Sequence, residues 1–140
     1  MYLFDVNILV HAHREDSDRH VSIAAFLEET LNAPEPFAYS PLVLSDFLRI
    51  VTHPKVFSVP TPLDTAMEFT RSITEHPRSV SVFPGPSHWN IFSHLSYAIK
   101  PRGNLFPDTY LAALAVETGC TWVTTDRDFT CFPGLELKLL

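Results

Sequence analysis

Short apolar runs alternate with segments of helical period along the whole chain, and prolines mark the joints between them. No other feature of the sequence constrains the fold as tightly. "YLFDV" reads as a buried strand, and "FAYSP", "SVSVF", "CTWVTT" and "LELKLL" as further strands. Segments of helical period separate the first four. Strands that alternate with helices imply an α/β fold, with a parallel sheet covered on both faces. The twelve prolines punctuate short elements, with no internal repeat, low-complexity segment or linker among them. The 140 residues therefore read as one domain, 1–140, large enough to bury a real core.

The helix boundaries follow from caps and prolines. A first helix is expected from about Asn7, fading near Glu15. In "SDRHVSIAAFLEETLN", Ser17 or Asp18 caps a second helix, with Val21, Ala24, Ala25 and Leu31 at helical spacing. Ser40 caps the third, with Pro41 as its first residue. "LVLSDFLRIVT" should stop before Pro54. Thr61-Pro62-Leu63-Asp64 repeats the cap, proline and acid, and opens a helix that runs to about Glu75. Ser87 caps "HWNIFSHLSYAI". After the "KPRGN" loop, Pro107 opens "DTYLAALAVET", and Gly119 closes it in the C-cap position.

Composition removes several classes. Hydrophobic residues make up 46% and charged residues 19%, so the chain is neither disordered nor fibrous. No apolar run approaches the roughly 20 residues of a membrane span. Residues 1–10 lack the basic start of a signal peptide, so a cytoplasmic protein with reduced thiols at Cys120 and Cys131 is expected. The net charge of −6 argues against a broad basic surface for nucleic acid. It leaves open a nucleic-acid enzyme whose carboxylates hold divalent cations.

Four aspartates are placed unlike the rest. Asp5 ends the first strand and Asp126 the fourth, so both should lie beyond the carboxyl edge of a parallel sheet, where ligands bind. Taken singly, Asp5 is as well explained as a helix cap and Asp126 as a turn residue. Asp108 shares one helix face with Leu111, Ala112 and Ala115, so it faces inward. A favourable helix dipole explains an acid in a first turn, but not its inward direction. Asp46 lies at the edge of an apolar arc beside Val43 and Ile50, and an ion pair with Arg49 is its competing role. Acids that converge repel one another unless a cation shares them, and all-carboxylate ligation suits Mg²⁺ or Mn²⁺. Such a centre favours metal-assisted attack of water on a phosphodiester.

The remaining candidates are weaker. His11 and His13 diverge by about 200° on a helix and cannot chelate one ion together. Arg102, Lys100 and Asn104 stand in the loop before Asp108, where phosphate contact or plain solvation would serve. Of Thr124 and Thr125, one hydroxyl could orient the attacking water.

"LFDVNILV", "SPLVLSDFLRIVTHP", "RGNLFPDTYLAALAVETG" and "TWVTTDRDFTCFPGLEL" together resemble PIN domains, and especially the VapC toxins of bacterial toxin–antitoxin pairs. The resemblance runs from residue 2 to about residue 137. It implies a Rossmann-like three-layer α/β/α sandwich around a parallel sheet. It implies a cytoplasmic endoribonuclease dependent on Mg²⁺, with Mn²⁺ able to substitute, acting on RNA and leaving a 5′-phosphate and a 3′-hydroxyl. It further implies a homodimer held inactive by a cognate VapB-type antitoxin. By motif position, Asp5 and Asp108 would ligate metal, Asp126 would complete the cluster, and Asp46 occupies its second acidic position. Asn7 and Thr125 would be supporting polar groups.

One residue departs from the family pattern. Glutamate is usual where this chain has Asp46, so the carboxylate reaches about one methylene less far. Two other readings are weighed against the toxin. A PIN-like module that binds RNA or a partner without catalysis would fit Asp46 and the negative charge. A domain phosphorylated on Asp5 fits poorly, because Asn7 stands where a dehalogenase-like phosphatase carries an acid.

Overall fold

The structure, a computed structural model, describes residues 1–140. Five strands are present: β1 (Tyr2–Phe4), β2 (Phe37–Tyr39), β3 (Ser79–Ser81), β4 (Thr121–Thr124) and β5 (Leu137–Leu139). Six helices separate or flank them: α1 (Val6–His13), α2 (His20–Asn32), α3 (Pro41–Val51), α4 (Leu63–Thr74), α5 (His88–Ile99) and α6 (Leu105–Thr118). Every strand pair is parallel, and the sheet order is β3-β2-β1-β4-β5. The α/β class expected from the alternation is the fold observed.

The topology positions the site. From β1 the chain steps outward to β2 and β3, then returns across the sheet to β4 on the other side of β1. Right-handed crossovers therefore put α1–α4 on one face and α5–α6 on the other. In keeping with this, α1 packs on α2 and α3, α3 on α4, and α5 on α6. The switch in direction falls between β1 and β4, and in open α/β sheets ligands bind beyond the carboxyl ends of strands at such a point. Leu3, Phe37, Phe47, Trp122 and Phe129 are fully buried at the centre of one continuous core.

Most boundaries agree with the sequence, and the departures have physical causes. Ser40 and Pro41 open α3 at the expected positions, though the Ser40 hydroxyl makes no cap bond, and Gly119 ends α6 with a left-handed φ of 63°. α6 starts at Leu105, two residues before Pro107. The first four N–H groups of a helix have no partner within it, so a proline in that turn loses nothing. Neither Ser17 nor Asp18 caps α2, which opens behind Arg19 without a side-chain cap. Ser17 is engaged elsewhere, its hydroxyl 2.6 Å from His11 Nδ1. The buried face of α2 is also not the one expected. Val21 is 82% exposed, while Ile23 and Leu27 are buried. The helix carries two apolar arcs, and the one with the larger side chains packs inward, where it removes more area from water.

Candidate active site

β1 ends at Phe4, and the Asp5 N–H makes one more ladder bond, to Val123 O at 2.9 Å. The chain then turns into α1. Oδ1 of Asp5 accepts from the Val6 N–H at 2.7 Å and so caps that helix. The other oxygen faces a different group. Oδ2 accepts from the Thr124 hydroxyl at 2.6 Å and from Asn7 Nδ2 at 2.8 Å. The cap role, which stood against a site role in the sequence, is filled by one oxygen and leaves the other to Thr124 and Asn7.

Thr124 joins the two central strands at this point. It is fully buried, and the β1–β4 register (Leu3 opposite Trp122, Phe4 opposite Val123) sets it beside Asp5. Its Oγ accepts from Asn7 Nδ2 and from the Asp126 N–H, both at 3.0 Å, while its proton goes to Asp5. The sequence left Thr124 and Thr125 open, and the family resemblance implies Thr125 as the supporting group. Thr125 instead contributes its backbone N–H, which donates to Asn7 Oδ1 at 3.2 Å. Only the strand register separates the two threonines, and no local pattern encodes it.

Asp126 follows β4 and caps the short 3-10 turn Arg127–Cys131, accepting from the Asp128 N–H at 2.9 Å. Asp108 is half-buried in the first turn of α6, where Leu111, Ala112 and Ala115 are buried along its face. The three carboxylates sense one another. Burial pushes the Asp5 carboxyl up to about 6, and the charges of Asp108 and Asp126 act in the same direction, against hydrogen bonds from Thr124 and Val6. Burial also raises Asp108, with further contributions from Asp126 and Asp128. A carboxylate costs free energy when ionised in such surroundings unless positive charge arrives.

The other expected residues lie around this centre or apart from it. Asp46 Oδ1 accepts from Arg49 Nε at 3.1 Å on the exposed side of α3, so the ion pair that competed with a site role is formed. Arg102 is exposed in the loop before α6, and Asn104 is the N-cap of that helix without a side-chain cap bond. His11 and His13 part as the helical angle requires. The first meets Ser17, and the second lies against Phe47, Phe69 and the Thr61 hydroxyl.

The donor set is three carboxylates with no histidine or thiol among them, which suits a hard divalent cation. No three of these groups already close into a ligand cage. An ion here would keep several waters and draw on a few carboxylate oxygens, as Mg²⁺ commonly does. Burial and mutual repulsion raise the Asp5 and Asp108 carboxyls, so a cation bound here would offset a charge cost already present.

Comparison with known proteins gives consistent results. The family model described as PIN domain matches residues 2–134. Ribonuclease VapC25 of Mycobacterium tuberculosis is 36% identical over 136 residues, which span 97% of this chain and 96% of that protein. VapC ribonuclease Mb2897 of Mycobacterium bovis is 36% identical over 138 residues, 99% of this chain and 94% of that protein. In three dimensions the chain is similar to VapBC2 from Rickettsia felis bound to a promoter DNA fragment. That match has a TM-score of 0.72 at 19% identity and covers 99% of this chain and 98% of the other.

Proposed function

Because the chain belongs to the PIN domain family, we propose that it is a VapC-type toxin that hydrolyses RNA phosphodiester bonds with a divalent cation held by Asp5, Asp108 and Asp126. What supports this reading is the hydrogen-bonded join of Asp5, Thr124 and Asp126 at the switch point of the sheet, with Asp108 near enough for its charge to act on Asp5. The relatives named VapC ribonucleases support the reaction class and substrate.

The cation is Mg²⁺, with Mn²⁺ able to substitute, and when bound it supplies a Lewis acid that favours attack of water and offsets charge developing on the phosphate. The chain's own residues do the positioning. Thr124 and Asn7 fix Oδ2 of Asp5, and the Val6 N–H fixes Oδ1, so the carboxylate cannot rotate away. The same Thr124 oxygen takes the Asp126 N–H and ties the second strand end to the first. Asp108, on α6, adds the third negative charge. Asp46 takes part less directly, because its carboxylate is shared with Arg49. Arg102 and Asn104, at the mouth, meet the RNA backbone. RNA enters as a single strand or loop, where backbone and bases are accessible.

A VapB-type antitoxin is the expected partner, supported by the VapBC complexes among the structural relatives. Assembly as a homodimer and a cytoplasmic setting belong to the same proposal. The two free cysteines and the lack of any helix long and apolar enough to cross a membrane agree with that setting. The test is RNA cleavage by the purified chain, without antitoxin, in Mg²⁺, Mn²⁺ and EDTA. Cleavage that requires the metal and vanishes in Asp5→Asn is expected. Cleavage that survives both treatments overturns the mechanism.

A further inference from the structure

The net charge of −6 conceals a segregation. Residues 76–107, between Glu75 and Asp108, contain none of the sixteen acidic residues and three of the ten basic ones. This stretch of 32 residues is therefore +3, while the rest of the chain is −9. It builds β3, α5 and the loop into α6. All four exposed aromatic side chains of the protein lie in it: Phe83, Trp89, Tyr97 and Phe106. Three of them extend along α5 and into the first turn of α6. Trp89 packs against Phe92 with ring centroids 5.2 Å apart, and Phe92 against Phe106 at 6.4 Å. Phe106 and Asp108 both lie in the first turn of α6, but their side chains diverge by about 200°, the ring turning to α5. Trp89 and Tyr97 stand eight residues apart on α5, about 12 Å along its axis. Lys100 and Arg102 follow directly in the exposed loop. Glu117, the acid that approaches this surface from α6, is occupied by the N–H groups of Gly85 at 2.8 Å and Ser87 at 2.9 Å.

Exposed aromatic rings beside cations, on a surface cleared of acids, are what a single-stranded nucleic acid needs. Bases stack on the rings without regard to sequence, and phosphates meet the cations. We infer that the outer face of α5 and the loop from Lys100 to Asn104 form a platform for single-stranded RNA. Unpaired bases stack on Trp89, Tyr97 and Phe106, phosphates meet Lys100 and Arg102, and the strand runs on to the carboxylates at Asp108. The inference rests on the ribonuclease reading and gives the substrate its path. A second copy of the chain could cover exposed aromatics as well. The cleared charge favours the polyanion.

The protein carries its own probe. Of its two tryptophans, Trp122 is fully buried and Trp89 is 66% exposed, so quenching reports on the platform. The experiment is a titration in EDTA, where no cleavage occurs, with an unstructured oligoadenylate of about twelve nucleotides. Quenching that weakens with salt is expected. With labelled RNA and anisotropy as readout, Trp89→Ala and Tyr97→Ala should each bind about tenfold more weakly, and Trp89→Phe should recover most of the loss. In Mg²⁺ the alanine variants should show a raised KM for RNA cleavage with kcat retained. Sedimentation of the same variants follows the oligomeric state. Unchanged RNA affinity overturns the platform, as does a shift from dimer to monomer at constant affinity per protomer. If the wild type cleaves RNA and the variants keep its KM, the platform fails and the ribonuclease reading stands. If RNA quenches Trp89 but is never cleaved in metal, the platform stands and the ribonuclease reading fails.

Discussion

Asp5 should work against the stability of the metal-free fold at neutral pH, and the size of the effect follows from its surroundings. Its carboxyl is raised from 3.8 to about 6, chiefly by burial. The folded state therefore holds the Asp5 proton to higher pH than the unfolded state does. Stability from this group is fully present below 3.8 and is lost as pH rises through about 6. A shift of about two units corresponds to about 3 kcal/mol, most of it lost between about pH 4 and about pH 7.5. The perturbation is Asp5→Asn, which removes the titration. It also sets an amide against two donors, Asn7 Nδ2 and the Thr124 hydroxyl, in place of Oδ2. That mismatch costs about 1–3 kcal/mol at every pH. In EDTA the variant should thus be less stable than wild type near pH 4, and the gap should close or reverse by about 2–3 kcal/mol near pH 7.5. Urea denaturation of both proteins at the two pH values measures it. His11 and His13, whose values are lowered by burial, titrate alike in both proteins and cancel in the difference. A gap that stays constant with pH would refute the raised carboxyl and the charge argument built on it.

Other substitutions test separate parts of the account. Thr124→Val keeps the shape but removes the hydroxyl that serves Asp5, Asn7 and Asp126. It should lower the stability measured in urea by about 1–3 kcal/mol and reduce RNA cleavage. Asp46→Ala breaks an exposed ion pair and should change stability by less than about 1 kcal/mol. Calorimetry should find its Mn²⁺ affinity reduced less than that of Asp5→Asn. Phe47→Ala empties a fully buried position against His13 and Phe69 and should cost about 3–5 kcal/mol by urea denaturation.

The sequence carried the parts of this site that local rules control. Asp5 and Asp126 end apolar runs, and parallel strands put both on one edge of the sheet; that β1 and β4 are neighbours is what brings them together. Asp108 shares a helical stripe with Leu111, Ala112 and Ala115, and that stripe is buried as its spacing requires. Where two strands must be matched, local rules gave no answer. Thr124 rather than Thr125 meets Asp5 because Phe4 pairs with Val123, a fact of register between residues more than 100 positions apart. The inward face of α2 was likewise undecided locally, since both of its arcs are apolar. The acid-free segment from 76 to 107 is plain in the sequence. Its meaning needed the fold, which shows that the aromatics within it are exposed along α5 and the start of α6.

The central claim is that Asp5, Asp108 and Asp126 together hold a divalent cation. Titration of the metal-free protein with Mn²⁺, followed by calorimetry in the wild type and in Asp5→Asn, Asp108→Asn and Asp126→Asn, tests it directly. The account predicts saturable binding by the wild type that each of the three substitutions weakens or abolishes. No binding by the wild type at millimolar Mn²⁺, or binding that all three variants retain, would contradict it.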